Sequence, residues 1–475
     1  MKIFKSPNWH KTLALLLPFA LLLGVTVSCN NNSESDKGSN KGHALLDVIY
    51  PETYAFDDFD KEVENREDHP VQPSFLTALD EFAYRSTAAL LLAQDEEQKN
   101  FNYSPLSLYF ALALASTGAG ENSKTQAELF DVLGVPHSFD SSTQAGTSAA
   151  LLSTELHNLY QQIYRKNEIA QIKIANSLWL DDEVAGQEVL YNDEFVQNAA
   201  QNFYASVHNV DFSDEENTSA AMSAWVSEQT NGKIEPTFEF DPLQVLSIFN
   251  TVYFYDQWVN RFDESATVKD SFYLSDGSEL KLDFMRQNLS SAAFTRGENY
   301  TRSYLPLKNN GQMIFVLPDE GIAPSELMDS AENIEKLLTE GTDFHGEVVW
   351  KMPKFSFDTK VEMKETLQAL GVTAAFSGEA DFTGISEQTE LFINDIQQET
   401  HIAVDENGVE AAAFTQVNFA TTALPLERVE MTLDRPFIFA ITAANASLLF
   451  IGICENPIFV PGTEIDSLLN LTAKR

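Results

Sequence analysis

This chain is short of cysteine, of histidine and of positive charge, and each shortage excludes something. Its 475 residues contain two cysteines, Cys29 and Cys454. A framework of several disulfides is therefore excluded, and the fold has to stand on its core. Cys454 sits in the apolar run Leu448-Leu449-Phe450-Ile451-Gly452-Ile453-Cys454 and reads as a small buried hydrophobe. The eight histidines are scattered, with no pair at metal-ligand spacing, so neither a metal nor a cofactor is expected. His401 lies in a strand-like run and reads as structural. Against 71 Asp and Glu stand 30 Lys and Arg, a net charge of −41. Such a charge repels nucleic acid and anionic lipid alike. It fits solubility at a crowded surface, recognition of a basic partner, or a saline source. Enzyme signatures are missing too: there is no Gly-x-Ser-x-Gly elbow, no His-Glu-x-x-His and no phosphate loop. Gly232-Lys233 lacks the upstream glycine such a loop requires. The chain does not read as an enzyme.

Hydrophobic residues make up 44%, enough for a sizeable core. The amino terminus has a basic head, Lys2, Lys5 and Lys11, followed by an apolar run over residues 13–27. That run is too short and wrongly flanked to span a membrane, so residues 1–28 read as a signal peptide. Thr26-Val27-Ser28-Cys29 resembles the lipobox of bacterial lipoproteins, although Thr26 departs from the usual Leu. The resemblance makes Cys29 the lipidated first residue and anchors the protein to a bacterial (outer) membrane, on its extracellular or periplasmic face. Simple secretion is the alternative. Residues 29–73 read as an acidic flexible tether reaching about 35–40 Å. Tyr50, Tyr54, Phe56 and Phe59 within it leave room for local docking.

Helical spacing marks residues 75–93, 106–119, 151–164, 193–203, 220–229, 332–338 and 360–370. Ser104-Pro105 supplies a cap and a first turn, and Asn231-Gly232 a helix stop. Residues 245–255 are almost wholly apolar, as a strand covered on both faces should be. Residues 271–284 alternate around Asp276-Gly277, a hairpin signal.

One stretch resists assignment. Residues 405–425 connect two strand-like runs, and a connection that long needs a special reason. Yet it carries a period of two: Val409, Ala411, Ala413, Thr415, Val417 and Phe419 share one side, Glu410, Ala412, Phe414, Gln416 and Asn418 the other. A segment placed as a loop and patterned as a strand has two states open to it. An ordinary long edge strand is the plainer reading.

Glu406-Asn407-Gly408-Val409-Glu410-Ala411-Ala412-Ala413 resembles the hinge of the reactive-centre loop of serpins. Asn100-Phe101-Asn102-Tyr103-Ser104-Pro105-Leu106-Ser107 and Trp225-Val226-Ser227-Glu228-Gln229-Thr230-Asn231-Gly232-Lys233-Ile234 are similar to two of that family's specific runs. So are Asn250-Thr251-Val252-Tyr253-Phe254, Met352-Pro353-Lys354-Phe355 and Leu449-Phe450-Ile451-Gly452, all in the family's order. The resemblance implies a mixed α/β (α+β) serpin fold over residues 74–461. It implies a large central sheet, further sheets, about eight or nine helices and an exposed reactive-centre loop. Residues 462–475 are left as a tail.

By the same resemblance, the function is irreversible suicide-substrate inhibition of serine, or cysteine, proteases by a monomer. The cleaved loop inserts into the main sheet with Glu406, Gly408, Val409, Glu410, Ala411, Ala412 and Ala413 as its hinge. Ser104, Ser107, Asn250, Gln398 and Trp258 form the region where the sheet opens. Gln398 replaces the family's usual His, and Val409 its usual Thr or Ser. The family's loop length puts the reactive bond at Thr422–Ala423, with neighbours between Phe419 and Leu424 open. Small residues there point to an elastase-like target, with subtilisin-like or chymotrypsin-like proteases next. The alternative is a non-inhibitory serpin that binds or carries another molecule.

Overall fold

The segment Pro105–Gly118 (α3) is apolar on nearly every side, and such a helix is stable only when surrounded. Thirteen of its fourteen residues are buried. Ser104 caps it, its hydroxyl accepting from the Ser107 N–H, and Pro105 opens its first turn. The rest of the chain is built around this helix.

The computed structural model of the protein describes residues 45–46, 48–94, 100–136, 147–181, 183–184, 187–238, 246–388, 390–409 and 427–458. These include ten α-helices: α1 (Phe59–Asp68), α2 (Pro73–Ala93), α3, α4 (Lys124–Leu133), α5 (Ser148–Ile163), α6 (Asp193–Asn202), α7 (Glu215–Gln229), α8 (Pro324–Leu327), α9 (Ala331–Thr339) and α10 (Lys364–Ala369). A seven-stranded sheet contains β2 (Arg165–Lys166), β3 (Ala170–Asp181), β6 (Ala205–Val210), β7 (Leu246–Gln257), β13 (Phe355–Glu362), β14 (Asp395–Val404) and β15 (Gly408–Val409). Its spatial order is β13-β14-β15-β7-β3-β2, with β6 also paired to β3. A nine-stranded sheet takes β1 (Phe101–Tyr103), β8 (Val268–Tyr273), β9 (Glu279–Arg296), β10 (Tyr300–Pro306) and β11 (Gln312–Pro318). Its other members are β12 (Thr342–Pro353), β16 (Arg428–Thr432), β17 (Phe437–Thr442) and β18 (Leu448–Cys454). The short hairpin β4 (Glu183–Val184) and β5 (Gln187–Glu188) stands apart. This is the mixed architecture expected.

The main core joins α3 to Ile248, Val252 and Phe254 of β7 and to Ile396, Ile402 and Val404 of β14. A second cluster lies on the opposite face of the large sheet. There α7 covers Ala175, Trp179 and Phe249 with Met222, Trp225 and Val226. Strand β7 is thus enclosed on both faces, which is why its sequence is mostly apolar rather than alternating. Cys454 is fully buried, and burial pushes its thiol far up, away from reactivity.

Two details differ from the expectation. A helix over residues 360–370 is not formed as such: β13 continues to Glu362, and α10 starts only at Lys364. Register with β14 holds residues 360–362, since Lys360, Val361 and Glu362 pair with Glu399, Gln398 and Gln397. Within the stretch read as a tether, residues 59–68 form α1, capped by the Asp58 carboxylate on the Lys61 N–H. Tyr50 is docked, its ring stacked on Tyr164. His401 pairs across the ladder with Asp358, Nδ1 to Oδ1 2.5 Å, which is a structural place.

Candidate functional site

Two strands decide what the large sheet can do. Over Asp395–Thr400, β14 pairs directly and in parallel with Ser247–Val252 of β7. Further along, the two diverge and β15 stands between them. Val409 pairs with Val404 on one side and with Asp256 on the other, and Gly408 with Gln257. The sheet is closed over half its height and holds a two-residue wedge in the other half.

The closed half is fastened by buried polar groups at the start of α3. The Gln398 side chain makes two hydrogen bonds to one residue's backbone: Ser104 N–H donates to Oε1 at 2.8 Å, and Nε2 donates to Ser104 O at 2.9 Å. Nε2 of Gln398 also reaches Asn250 Oδ1 at 3.1 Å. Asn250 Nδ2 donates to Ser107 O at 2.9 Å and to Asn176 Oδ1 at 2.6 Å. The Ser107 hydroxyl donates to Asn250 Oδ1. All five side chains are at most 2% exposed. Each bond matters here because an unmatched polar group in this interior costs about 1–3 kcal/mol. Four of these residues were expected from the sequence. Asn176 was not, and its only signal was a polar residue in the apolar run of β3.

Trp258 lies elsewhere. It follows β7 eight residues beyond Asn250, about 26 Å along a strand, at the mouth of the wedge. The ring is fully buried, its Nε1 donates to Asp405 O at 2.9 Å, and its backbone N–H donates to Asn407 O at 3.0 Å. The turn into β15 is tied by Asp405, whose carboxylate accepts from Asn407 N–H at 2.7 Å and Gly408 N–H at 3.3 Å. Gly408 has to be glycine, because a Cβ there would meet Asp256 O at 2.2 Å. Glu406 is clamped by Lys354 Nζ at 2.9 Å and by the Thr267 hydroxyl at 2.7 Å. Burial pushes this carboxyl up, but Lys354 and Thr267 outweigh burial and hold it below its usual range. Of the expected hinge, Glu406, Gly408 and Val409 are placed. Glu410, Ala411, Ala412 and Ala413, the bond Thr422–Ala423 and Cys29 lie outside the described residues.

Asp256, the ladder partner of Val409, is an unexpected member of the site. It is 1% exposed, and its carboxylate accepts from Gln257 N–H at 2.7 Å and Asn309 Nδ2 at 3.3 Å. Burial outweighs these donors and pushes its pKa to about 7. The folded chain therefore holds this proton more tightly than the unfolded chain. Stability falls as pH rises from about 4 to about 7 and levels off above that. Asp80, raised to about 6 by burial and by Glu335, titrates in the same window. The specific outcome is a difference: Asp256→Asn should flatten part of the fall seen by thermal denaturation across pH 4–8, leaving the contributions of Asp80 and of the other groups that burial shifts, Glu399, Asp405 and His157. An unchanged pH profile in that variant would show the carboxyl to be ionised throughout.

Among the described residues no group of three or more His, Cys, Asp or Glu is placed to hold a metal.

Residues 77–457 match the family model described as Serpin (serine protease inhibitor). Human Serpin B11 is 30% identical over 381 residues, covering 75% of this chain and 93% of that protein. Human Serpin I2 is 28% identical over 383 residues, covering 78% and 89%. Among solved structures, the thermophilic serpin Tengpin in its native state superposes with a TM-score of 0.71 at 24% identity, covering 88% of this chain and 100% of that one. Human thyroxine-binding globulin complexed with its hormone gives 0.70 at 24% identity, covering 81% and 99%. At that identity the likeness speaks for the fold alone. With the family match running from α2 to the end of β18, through the wedge of β15, the chain belongs to the serpin family.

Proposed function

We propose that this serpin inhibits serine proteases, or cysteine proteases, irreversibly, with an elastase-like enzyme as the best-suited target. The observation that carries this reading is the wedge: residues 408–409 already pair on both sides between strands that pair directly with each other lower down. Extended into an inserted strand, the register of Val409 against Val404 and Asp256 would set Ala411 between Ile402 and Phe254, Ala413 between Thr400 and Val252, Thr415 between Gln398 and Asn250, and Val417 between Ile396 and Ile248. Every one of these flanking residues is buried, and Ile402, Phe254, Val252, Ile396 and Ile248 belong to the main core. Small apolar side chains meet the core, and the one hydroxyl meets the polar cluster. An inserted strand of this register needs no buried charge.

The chemistry belongs to the protease. Its nucleophilic oxygen or sulfur adds to the Thr422 carbonyl carbon, and the C–N bond to Ala423 breaks. The new amine leaves with the proton passed on by the protease base. Insertion then carries the acylated protease away before water completes the cycle, a change driven by stored strain. Arg428, the first basic residue after the bond, is held at the start of β16 opposite Glu347, which disfavours a trypsin-like target. As part of the same reading, residues 1–28 direct export and Cys29 carries a lipid, placing the inhibitor at a bacterial surface. Partition of the native protein into detergent, lost on Cys29→Ala, checks this.

Mixing the protein with elastase and running a denaturing gel tests the central claim. A band at the summed mass is expected, together with a released fragment that begins at Ala423 by mass spectrometry. Cleavage without that band, and without a gain in the thermal stability of the cleaved protein, would make this a non-inhibitory serpin.

A further inference from the structure

Helix α1 presents the wrong side to solvent. Its inward side is polar: Glu62, Asn65 and, at its end, His69 follow one another at helical spacing. Asn65 Nδ2 donates to Gln161 O of α5 at 2.8 Å, His69 Nδ1 lies 2.9 Å from Asn65 O, and the Glu62 side chain is only 12% exposed. The two apolar residues of the helix face outward. Phe59 is 63% exposed and Val63, one turn on, 52%, while Phe56 in the turn before is exposed as well. A surface helix ordinarily does the opposite, burying its apolar stripe and showing its polar one. Carboxylates surround the exposed pair. Asp60 and Glu67 stand three and four residues from Val63 on the same face, and Asp57 adjoins Phe56. None of these three has an ion pair among the described residues, and the nearby cations are taken, Arg66 by Glu62 at 3.1 Å and Lys61 by Glu64 at 2.6 Å.

This face lies at the end of the large sheet from which the reactive-centre loop leaves. Asn310, in the turn between β10 and β11, donates Nδ2 to Glu62 at 3.4 Å. Its neighbour Asn309 donates to Asp256 at 3.3 Å, and Asp256 pairs with Val409, the last described residue before the loop. A few side-chain lengths thus join Phe59 to the root of the loop, within roughly 30 Å. A globular protease of about 220 residues is about 45 Å across. One held by the loop therefore has surface to lay over α1. Apolar side chains in a rim of unpaired carboxylates are matched by a surface of the opposite charge, an apolar contact flanked by Arg and Lys.

We propose that the outward face of α1, with Phe59 and Val63 at its centre and Asp57, Asp60 and Glu67 around them, is a docking surface for a basic patch on the target protease, engaged while the loop enters the protease's cleft. The proposal rests on the inhibitor reading and narrows its target to a protease that carries positive charge beside its cleft. The surface acts on encounter and not on insertion. Opposite charges speed association and lose that effect as salt screens them, whereas the apolar contact prolongs the encounter at any salt concentration.

The test is the second-order rate of covalent complex formation between the full chain and an elastase of basic isoelectric point. It is measured at about 0.01 M and about 1 M salt, where the Debye length is about 30 Å and about 3 Å. The double variant Asp60→Asn with Glu67→Gln should react about tenfold more slowly than the unaltered protein at low salt and equally fast at high salt. Phe59→Ala with Val63→Ala should react about tenfold more slowly at both. Because all four side chains are exposed, the melting temperatures should stay where they were, and the fraction of protease trapped should not change. Equal rates at low salt for the charge variant and the unaltered protein would overturn the docking surface and leave the inhibitor reading intact. So would a trapped fraction that falls while the rate holds, since that places the effect on insertion. No covalent complex from the unaltered protein overturns the inhibitor reading, and the docking surface falls with it.

Discussion

Replacing Ala413 by Arg is expected to turn this protein from an inhibitor into a substrate. On insertion in the register set by Val409 against Val404 and Asp256, residue 413 would come between Thr400 and Val252, on the side of the main core. Those two flanking residues are 1% and 3% exposed. A guanidinium pushed in among them has no carboxylate partner, and an unpaired buried charge costs several kcal/mol. Insertion would stall after its first turns of ladder, leaving the acyl-enzyme time to hydrolyse. The fraction of protease trapped, read as covalent complex against cleaved serpin on a denaturing gel, should fall about a hundredfold, because each 1.4 kcal/mol is tenfold in a competition between rates. The control is Ala412→Arg, one residue earlier on the outward side. It should reduce trapping far less, since a one-residue step reverses the face. Equal losses at 412 and 413 would sink the register.

Trp258→Ala should give the largest loss of stability of any single change at the site. The ring is fully buried, packs edge-on against Phe262 at 6.5 Å, and holds the Asp405 carbonyl through Nε1. Truncating a buried Trp costs about 3–5 kcal/mol, and here it also frees the turn that leads into β15. The midpoint of chemical denaturation should drop accordingly, and the hinge should loosen before the rest. Trp258→Phe separates the two contributions. It retains much of the packing and loses the Nε1 bond, worth about 1 kcal/mol. A cost below about 1 kcal/mol for Trp258→Ala would mean that the mouth of the wedge is not held by this ring.

Much of this site is visible in the chain without coordinates because its requirements are local. Ser104-Pro105 announces the start of α3, since cap and first turn are properties of two adjacent residues. The alternation from Val409 to Phe419 announces a strand that faces a core, since side chains reverse sides at each residue. The largely apolar run of β7 announces a strand covered twice. The missed helix boundary at residues 360–364 has the converse cause. Lys360, Val361 and Glu362 carry a helical pattern, and only their ladder partners on β14 draw them into the sheet.

What the chain determined by itself is the identity of its parts: a family-typical order of elements, and a connection patterned as a strand. These follow from composition and from short-range periodicity. Tertiary structure alone decided which parts meet. Asn176 joins Ser107, Asn250 and Gln398 across a span of more than two hundred residues, and nothing in its neighbours marks it for that role. Asp256 has the local pattern of any polar residue at a strand end. Its titration near neutral comes from burial beneath partners supplied by residues 309 and 257. Tyr50 lies in an acidic, aperiodic stretch that reads as a tether with room for local docking, and where it docks is set by Tyr164, Tyr204, Lys173 and Gln229, which distant parts of the chain bring together. Local pattern is written residue by residue, whereas burial and charge balance depend on what the rest of the chain brings alongside.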